Sequence, residues 1–192
     1  MSVGKTLAVI LGSGLLLGAG QLLAAPTASM LSDTCAGCHG TDGSSVGPAT
    51  PTIAGMSAEY FKTVMEEYQK GDRQSTIMGR IAKGYGKEEI ALMADHFAKQ
   101  EFVRHKQDLD AEKIEAGSKL YDKSCSKCHD EGGALPDDDS GILAGQWLPY
   151  LTYSMEDFQA GKRDMPKKMK KKVDKLDTFD IDALMHYFAS QQ

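Results

Sequence analysis

The sequence predicts an all-α chain made of two small, duplicated domains. Three features carry that reading: a whole-length internal repeat, apolar residues at helical spacing, and no stretch that alternates convincingly as a strand. Slid along itself by 90 residues, the chain places Cys35, Cys38 and His39 on Cys125, Cys128 and His129. The same offset carries Ala54-Gly55, Tyr60, Met65-Glu66, Gln69, Gly71 and Arg73 onto identical residues, eight of the 20 positions from Ala54 to Arg73. One inserted residue then changes the offset to 91, which pairs Met78 with Met169, Ile90 with Ile181, Phe97 with Phe188 and Gln100 with Gln191. The expected division is a leader over 1–24, a first domain over 25–105 and a second over 106–192.

Each domain repeats one order of elements. A helix runs into the cysteine pair, over 26–34 in the first half and 110–124 in the second. Pro26 suits a first helical turn and Asp110 an N-cap. A Gly/Pro/Asp-rich loop without period follows, over 40–51 and 130–141. A second helix spans about 57–70 and 147–160, its face in the first copy made by Tyr60, Phe61, Val64, Met65 and Tyr68 at i, i+4 spacing. Gly71 and Gly161 stand where helix-ending glycines belong. A closing helix covers 87–100 and 178–191.

The leader differs from the rest. Lys5 is its one charge, Leu7 to Leu23 is almost wholly apolar, and Ala24-Ala25 follows. That order reads as a secretory signal peptide cut after Ala24, with a periplasmic product. The alternative is a short retained membrane anchor, which five glycines and a 17-residue run disfavour. Once the leader is removed, no membrane span is expected. The net charge of −5 excludes general nucleic-acid binding, which needs a basic face.

Export and an even cysteine count would ordinarily suggest disulfides. Here each pair is followed directly by histidine, which is the Cys-x-x-Cys-His pattern of covalent haem attachment. Two thiols a fixed short distance apart add across the porphyrin vinyl groups, and the next residue offers an imidazole to the iron from the same side. Cys35 and Cys38 with His39, and Cys125 and Cys128 with His129, therefore predict two covalently bound haem c groups. Aromatics make up only 7% of the chain, and a buried porphyrin supplies the apolar mass that two modest cores lack. Disulfides would leave both histidines unexplained, and zinc pairs usually lie much closer together than 90 residues.

A thioether opposite histidine favours reduced iron, as suits an electron carrier. Met78 is the expected sixth ligand of the first iron. For the second, Met169 is preferred because it aligns with Met78 without a gap into the closing helix; Met165 is the alternative. Met30, Met56, Met65, Met93, Met155 and Met185 are read as packing, and His96, His105 and His186 as structural. The carbonyl of Pro48, and of Pro136 in the second half, is the candidate to orient the ligand histidine. Between Lys162 and Lys175 lie eight Lys/Arg and two Asp, a basic stretch suited to steering an acidic redox partner if it is more than a solvated helix start.

Cys-Ala-Gly-Cys-His-Gly (35–40), Ser-Thr-Ile-Met-Gly-Arg-Ile-Ala-Lys-Gly-Tyr (75–85), Ile-Leu-Ala-Gly-Gln-Trp (142–147) and the terminal Tyr-Phe-Ala-Ser-Gln-Gln (187–192) together resemble the dihaem cytochrome subunits of flavocytochrome c sulfide dehydrogenases. The resemblance implies two tandem class I cytochrome c domains, each around one haem, and a heterodimer with an FAD-containing flavoprotein subunit that oxidises sulfide. Electrons would pass through the haems to a soluble acceptor such as a small cytochrome. The chain itself would be an electron-transfer subunit and not the enzyme, since flavin, sulfide site and any catalytic disulfide would belong to the partner. The absence of a Gly-x-Gly-x-x-Gly segment and of a spare cysteine agrees. The alternative function is a dihaem respiratory carrier feeding a terminal oxidase. A haem peroxidase would need an open iron position, which the paired methionines argue against.

Overall fold

The computed structural model describes residues 25–191, so the leader expected over 1–24 lies outside the described residues. The first half contains α1 (Ala28–Asp33), α2 (Ala36–His39), α3 (Ala58–Lys70), α4 (Met78–Ile81) and α5 (Lys87–Phe97). The second contains α6 (Ala111–Ser124), α7 (Leu148–Gln159), α8 (Lys167–Val173) and α9 (Thr178–Ser190), with 3-10 turns at Ala82–Gly84 and Glu131–Gly133. No strand occurs among the described residues, as the all-α reading expects.

Local chemistry sets the boundaries. The Ser57 hydroxyl accepts the amides of Glu59 and Tyr60 to start α3, and the Asp110 carboxylate accepts those of Glu112 and Lys113 to start α6. Gly71 ends α3 in the left-handed region at φ +83°. Pro26 falls outside the first helix instead of in its first turn. Thr27 is the N-cap, and its hydroxyl accepts the Met30 amide, a bond that proline's ring cannot supply.

In each half the closing helix is the centre of packing: α5 lies against α1 and α3, and α9 against α6 and α7. Phe61, Met65, Ile90, Met93 and Phe97 build the first core, and Tyr121, Leu151, Leu184, Met185 and Phe188 the second. Of the methionines expected to pack, Met65, Met93 and Met185 are buried. Met56 and Met155 lie partly buried against the two cores. Met30 is 64% exposed, because α1 is too short to turn a second face inward. The α6–α9 seam is unusually close at Gly117, where a β-carbon would stand 2.1 Å from the Ala183 carbonyl oxygen.

The two halves share their backbone bonding as well as their sequence. Gly55 N–H donates to Phe97 O at 2.8 Å, and Gly145 N–H to Phe188 O at 2.8 Å. Ile53 and Ala54 donate to Gly43 O just as Leu143 and Ala144 donate to Gly133 O. These bonds fix each Gly/Pro-rich loop over the end of its closing helix.

The halves also meet. Arg163 Nη2 donates to the Tyr60 hydroxyl at 2.9 Å, Trp147 Nε1 to Ser45 O at 3.0 Å, and the Ser57 hydroxyl to Asp138. Arg73, 6% exposed, lies among Tyr60, Tyr68 and Tyr150. Burial alone would weaken its positive charge, but the surrounding phenol oxygens hold its guanidinium firmly charged. Tyr60 and Tyr150, like Arg73 and Arg163, are equivalent repeat positions, so the interface joins corresponding residues of the two copies. The segment after α5 is bonded to both halves. Ser44 Oγ donates to Glu101 O and accepts the Val103 amide, while the Gln107 side chain bridges Gln146 O and the Leu148 amide.

Candidate haem-attachment sites

The thiol pairs sit at the end of the first helical segment of each half. Cys35 caps α2, and the His39 amide donates to Cys35 O at 2.9 Å, so that one helical turn carries both thiols and the imidazole. The second copy repeats this turn, with His129 N–H to Cys125 O at 3.0 Å. All four cysteines are unpaired, Cys35 and Cys125 half-buried and Cys38 and Cys128 exposed. Among the described residues no three His, Cys, Asp or Glu side chains come together to hold a bare metal ion.

His39 is buried, and its Nδ1 lies 2.8 Å from the carbonyl oxygen of Pro51. A carbonyl can only accept, so Nδ1 carries the proton and the Nε2 lone pair is left for a metal. Burial pushes the His39 pKa below its ordinary value, partly offset by the bond to Pro51. A neutral imidazole with a free Nε2 is what haem iron requires, and the unpaired thiols beside it are what thioether formation requires. The residues present fit the group.

The carbonyl that orients the histidine belongs to Pro51 and not to the expected Pro48, which is exposed. The ladder bonds from Ile53 and Ala54 to Gly43 bring position 51 back over the imidazole, whereas Pro48 lies at the outer bend of the loop. Pro136 is likewise exposed and makes no such bond to His129. In the second half His129 packs edge-on to Phe188 at 6.1 Å, and its own carbonyl accepts the Tyr121 hydroxyl at 2.7 Å. Burial also lowers the His129 pKa, opposed by Asp137 and Asp130.

Met78 is the first residue of α4, half-buried against the first core, and so begins a short helix instead of lying in open loop. Met169 is half-buried inside α8, and Met165 stands two residues before that helix. The closing helices begin at Lys87 and Thr178, so Met78 and Met169 each precede one by nine residues. His186 accepts the Asp110 amide on Nδ1 at 3.2 Å and braces the start of α6, a structural role as expected. His96 packs edge-on to Phe97 and His105 stacks on Trp147.

The residue that sequence reasoning missed is Gln146. Its Oε1 accepts the Thr52 amide at 2.8 Å and its Nε2 donates to Thr52 O at 3.0 Å. The signal was its place in the Ile-Leu-Ala-Gly-Gln-Trp segment, where the equivalent residue of the first copy is the apolar Met56.

Two small helical domains, each holding a thiol pair and an imidazole on one turn, buried at His39 and half-buried at His129, define a protein built to carry covalently attached haem. Residues 24–103 match the family model described as cytochrome c, and residues 112–188 that described as cytochrome c oxidase, cbb3-type, subunit III. The chain is 37% identical over 71 residues to cytochrome c-554(548) of Halomonas halodenitrificans, 35% of this chain and 86% of that protein. It is 53% identical over 68 residues to the cytochrome subunit of sulfide dehydrogenase of Chlorobaculum tepidum; the match covers 35% of this chain and 61% of that one. Over both halves it is 28% identical to cytochrome c4 of Pseudomonas aeruginosa, across 80% and 81% of the two chains. The crystal structure of reduced cytochrome c4 from Pseudomonas stutzeri superposes with a TM-score of 0.75 at 24% identity, covering 86% of this chain and 97% of that one. The chain belongs to the cytochrome c family and has the tandem two-domain fold of cytochrome c4. It is a dihaem electron carrier. Among the described residues no helix is long and apolar enough to cross a membrane.

Proposed function

We propose that this chain is the periplasmic electron-transfer subunit of a sulfide-oxidising flavoprotein complex, passing electrons to a soluble acceptor. The observation that carries the reading is its 53% identity, over 68 residues, with the cytochrome subunit of a sulfide dehydrogenase. The chain divides near residues 105 and 106. In the first domain Cys35 and Cys38 hold the haem while His39 and Met78 take the iron; in the second, Cys125 and Cys128 hold it while His129 and Met169 take the iron. Bound haem supplies reversible one-electron chemistry at each site. The protein's own part is to orient the buried first imidazole through Pro51, and to fix the two sites relative to each other through the Arg163–Tyr60 and Gln146–Thr52 contacts.

Surface chemistry supports two different partners. Ile77 and Ile81, on either side of Met78, are exposed and give the first site an apolar rim of the kind a lasting subunit interface buries. The second site is rimmed by lysines. Residues 162–175 carry a net +6 in a chain of net −5, and Lys172 is close enough to act on the Cys125 thiol. Such a rim suits a transient, salt-steered acidic acceptor.

The test is reconstitution. The isolated holo-cytochrome should exchange electrons but turn over sulfide only slowly, and adding the flavoprotein should create sulfide-dependent haem reduction. Full-rate sulfide oxidation by the cytochrome without flavin would refute the assignment. The likeness to cytochrome c4 over 80% of the chain favours a second reading, a dihaem carrier feeding a terminal oxidase. Purification without any flavoprotein, together with rapid oxidation by an oxidase, would decide for it.

A further inference from the structure

We propose that Gln146, a residue of the second domain, is a positioning residue that sets the redox poise of the first haem. The inference rests on the assignment of His39 to the first iron, and goes beyond it by tying one domain's electronics to the other's side chain.

The connection is a short chain of hydrogen bonds. His39 Nδ1–H donates to Pro51 O at 2.8 Å. The next residue, Thr52, is buried and held from the second domain by both of its backbone groups: its amide donates to Gln146 Oε1 at 2.8 Å and its carbonyl accepts from Gln146 Nε2 at 3.0 Å. Gln146 is itself 3% exposed, so neither bond competes with water. A third tie holds the same loop, Trp147 Nε1 to Ser45 O, while Ser45 N–H donates to Thr52 Oγ1 at 3.1 Å. The lock is prepared in advance, because the Gln107 side chain grips the Gln146 carbonyl and the Leu148 amide.

The arrangement is one-directional. The repeat partner of Gln146 is Met56, which packs into the first core, and the partner of Thr52 is Ile142. Among the described residues, His129 has no carbonyl bonded to Nδ1 comparable with Pro51. Only the first imidazole is oriented by a loop clamped from across the interface.

A carbonyl that accepts from Nδ1–H enriches the imidazole in electrons and stabilises ferric iron. A loosened loop weakens that bond and shifts the first haem toward the ferrous form. The second haem has no such link, so it stays where it is.

The experiment uses the full-length holo-protein, with the two haems followed separately by potentiometry and by their methyl proton resonances. Gln146→Leu removes both bonds and should raise the ferrous-to-ferric ratio of the first haem severalfold at a fixed poise, leaving the second unchanged. Gln146→Glu supplies a built-in rescue. Its carboxylic acid mimics the amide, donating to Thr52 O and accepting from Thr52 N–H, whereas its carboxylate repels the carbonyl. Measured as a difference from wild type, the first haem should match wild type in acid and approach Gln146→Leu as the carboxyl ionises. Arg104, which lies against Gly145, and His105, which stacks on Trp147, are common to all three proteins, so their direct effect on the haem cancels in that difference, and their action on the new carboxyl sets only the pH at which the change falls. Hydrogen exchange at the Thr52 amide should accelerate in parallel. Equal shifts at both haems, a pH-independent Gln146→Glu difference, or an unmoved first haem would each overturn the proposal. A haem count of two per chain and an intact sulfur-to-iron band in wild type test the ligand assignment separately.

Discussion

Gly117→Ala tests the packing of the second domain. The β-carbon would lie 2.1 Å from the Ala183 carbonyl oxygen, 2.7 Å from its carbon and 2.7 Å from Tyr187 Cβ. Ordinary contact needs more than 3 Å, and the nearest obstacles are backbone atoms that cannot swing aside. Helices α6 and α9 must therefore part by about 1 Å, a gap that forfeits roughly a quarter to a half of the dispersion energy along the opened seam. Overpacking of this kind costs about 1–3 kcal/mol, and more where backbone must move. Alanine's better helix propensity returns about 1 kcal/mol. With the cost at the top of that range, because backbone blocks the site, the net loss should be about 2 kcal/mol, a fall in Tm on the order of 10 °C for a domain of this size. Trp147, the single tryptophan, stands at the start of α7 in the same domain. Its fluorescence, quenched by haem in the folded protein, reports the transition in a thermal melt. Gly84→Ala is the control, since a β-carbon there meets nothing within 4 Å. A Gly117→Ala protein melting with the control would refute the close-seam reasoning.

Three further outcomes are expected. Met169→Ala should abolish the sulfur-to-iron charge-transfer band of the second haem and lower its potential, while Met165→Ala leaves both nearly intact; the reverse would make Met165 the ligand. Replacing Lys168, Lys171 and Lys172 with Glu should slow oxidation by an acidic acceptor about tenfold at low salt, with the difference vanishing at high ionic strength, as stopped-flow mixing would record. Burial holds the His186 pKa below its usual value, with Asp182 and Asp110 pulling it up and Lys113 down. The unfolded chain therefore takes up the proton first as pH falls below about 6.5, so stability present above that pH is lost on acidification through the folded value. His186→Gln keeps an acceptor for the Asp110 amide and should flatten the pH dependence of the second-domain melt between pH 7 and 5; an unchanged slope would clear His186 of that role.

What could be read from the chain alone was whatever local spacing encodes. The repeat located both thiol pairs, and Asp110 and Gly71 mark helix ends within a residue or two, because those signals act over three or four positions. The partner of His39 was misjudged by three residues, since any carbonyl looks the same in sequence and only the ladder to Gly43 decides which one arrives. Met30 reads as packing beside the leader, but a six-residue helix has only one face to bury. Tyr60, Tyr150, Arg73 and Arg163 were visible as repeat identities, yet nothing in a repeat says that its two copies will meet at those positions. Gln146 was hidden for the same reason, its partner lying 94 residues away.

The one-way clamp between the halves bears on how such a chain can be reshuffled. Copies of a duplicated unit usually remain exchangeable, so that recombination may repeat or reorder them without harm. Here a tandem of two first domains would offer methionine where the Thr52 backbone expects an amide, and a tandem of two second domains would put isoleucine where the Thr52 hydroxyl accepts the Ser45 amide. Either chimera would retain its attachment turns and its helices while losing part of the seat between them. The duplication has thus become directional: the halves still share a pattern, but they have grown into a lock and a keyhole whose order along the gene can no longer be inverted.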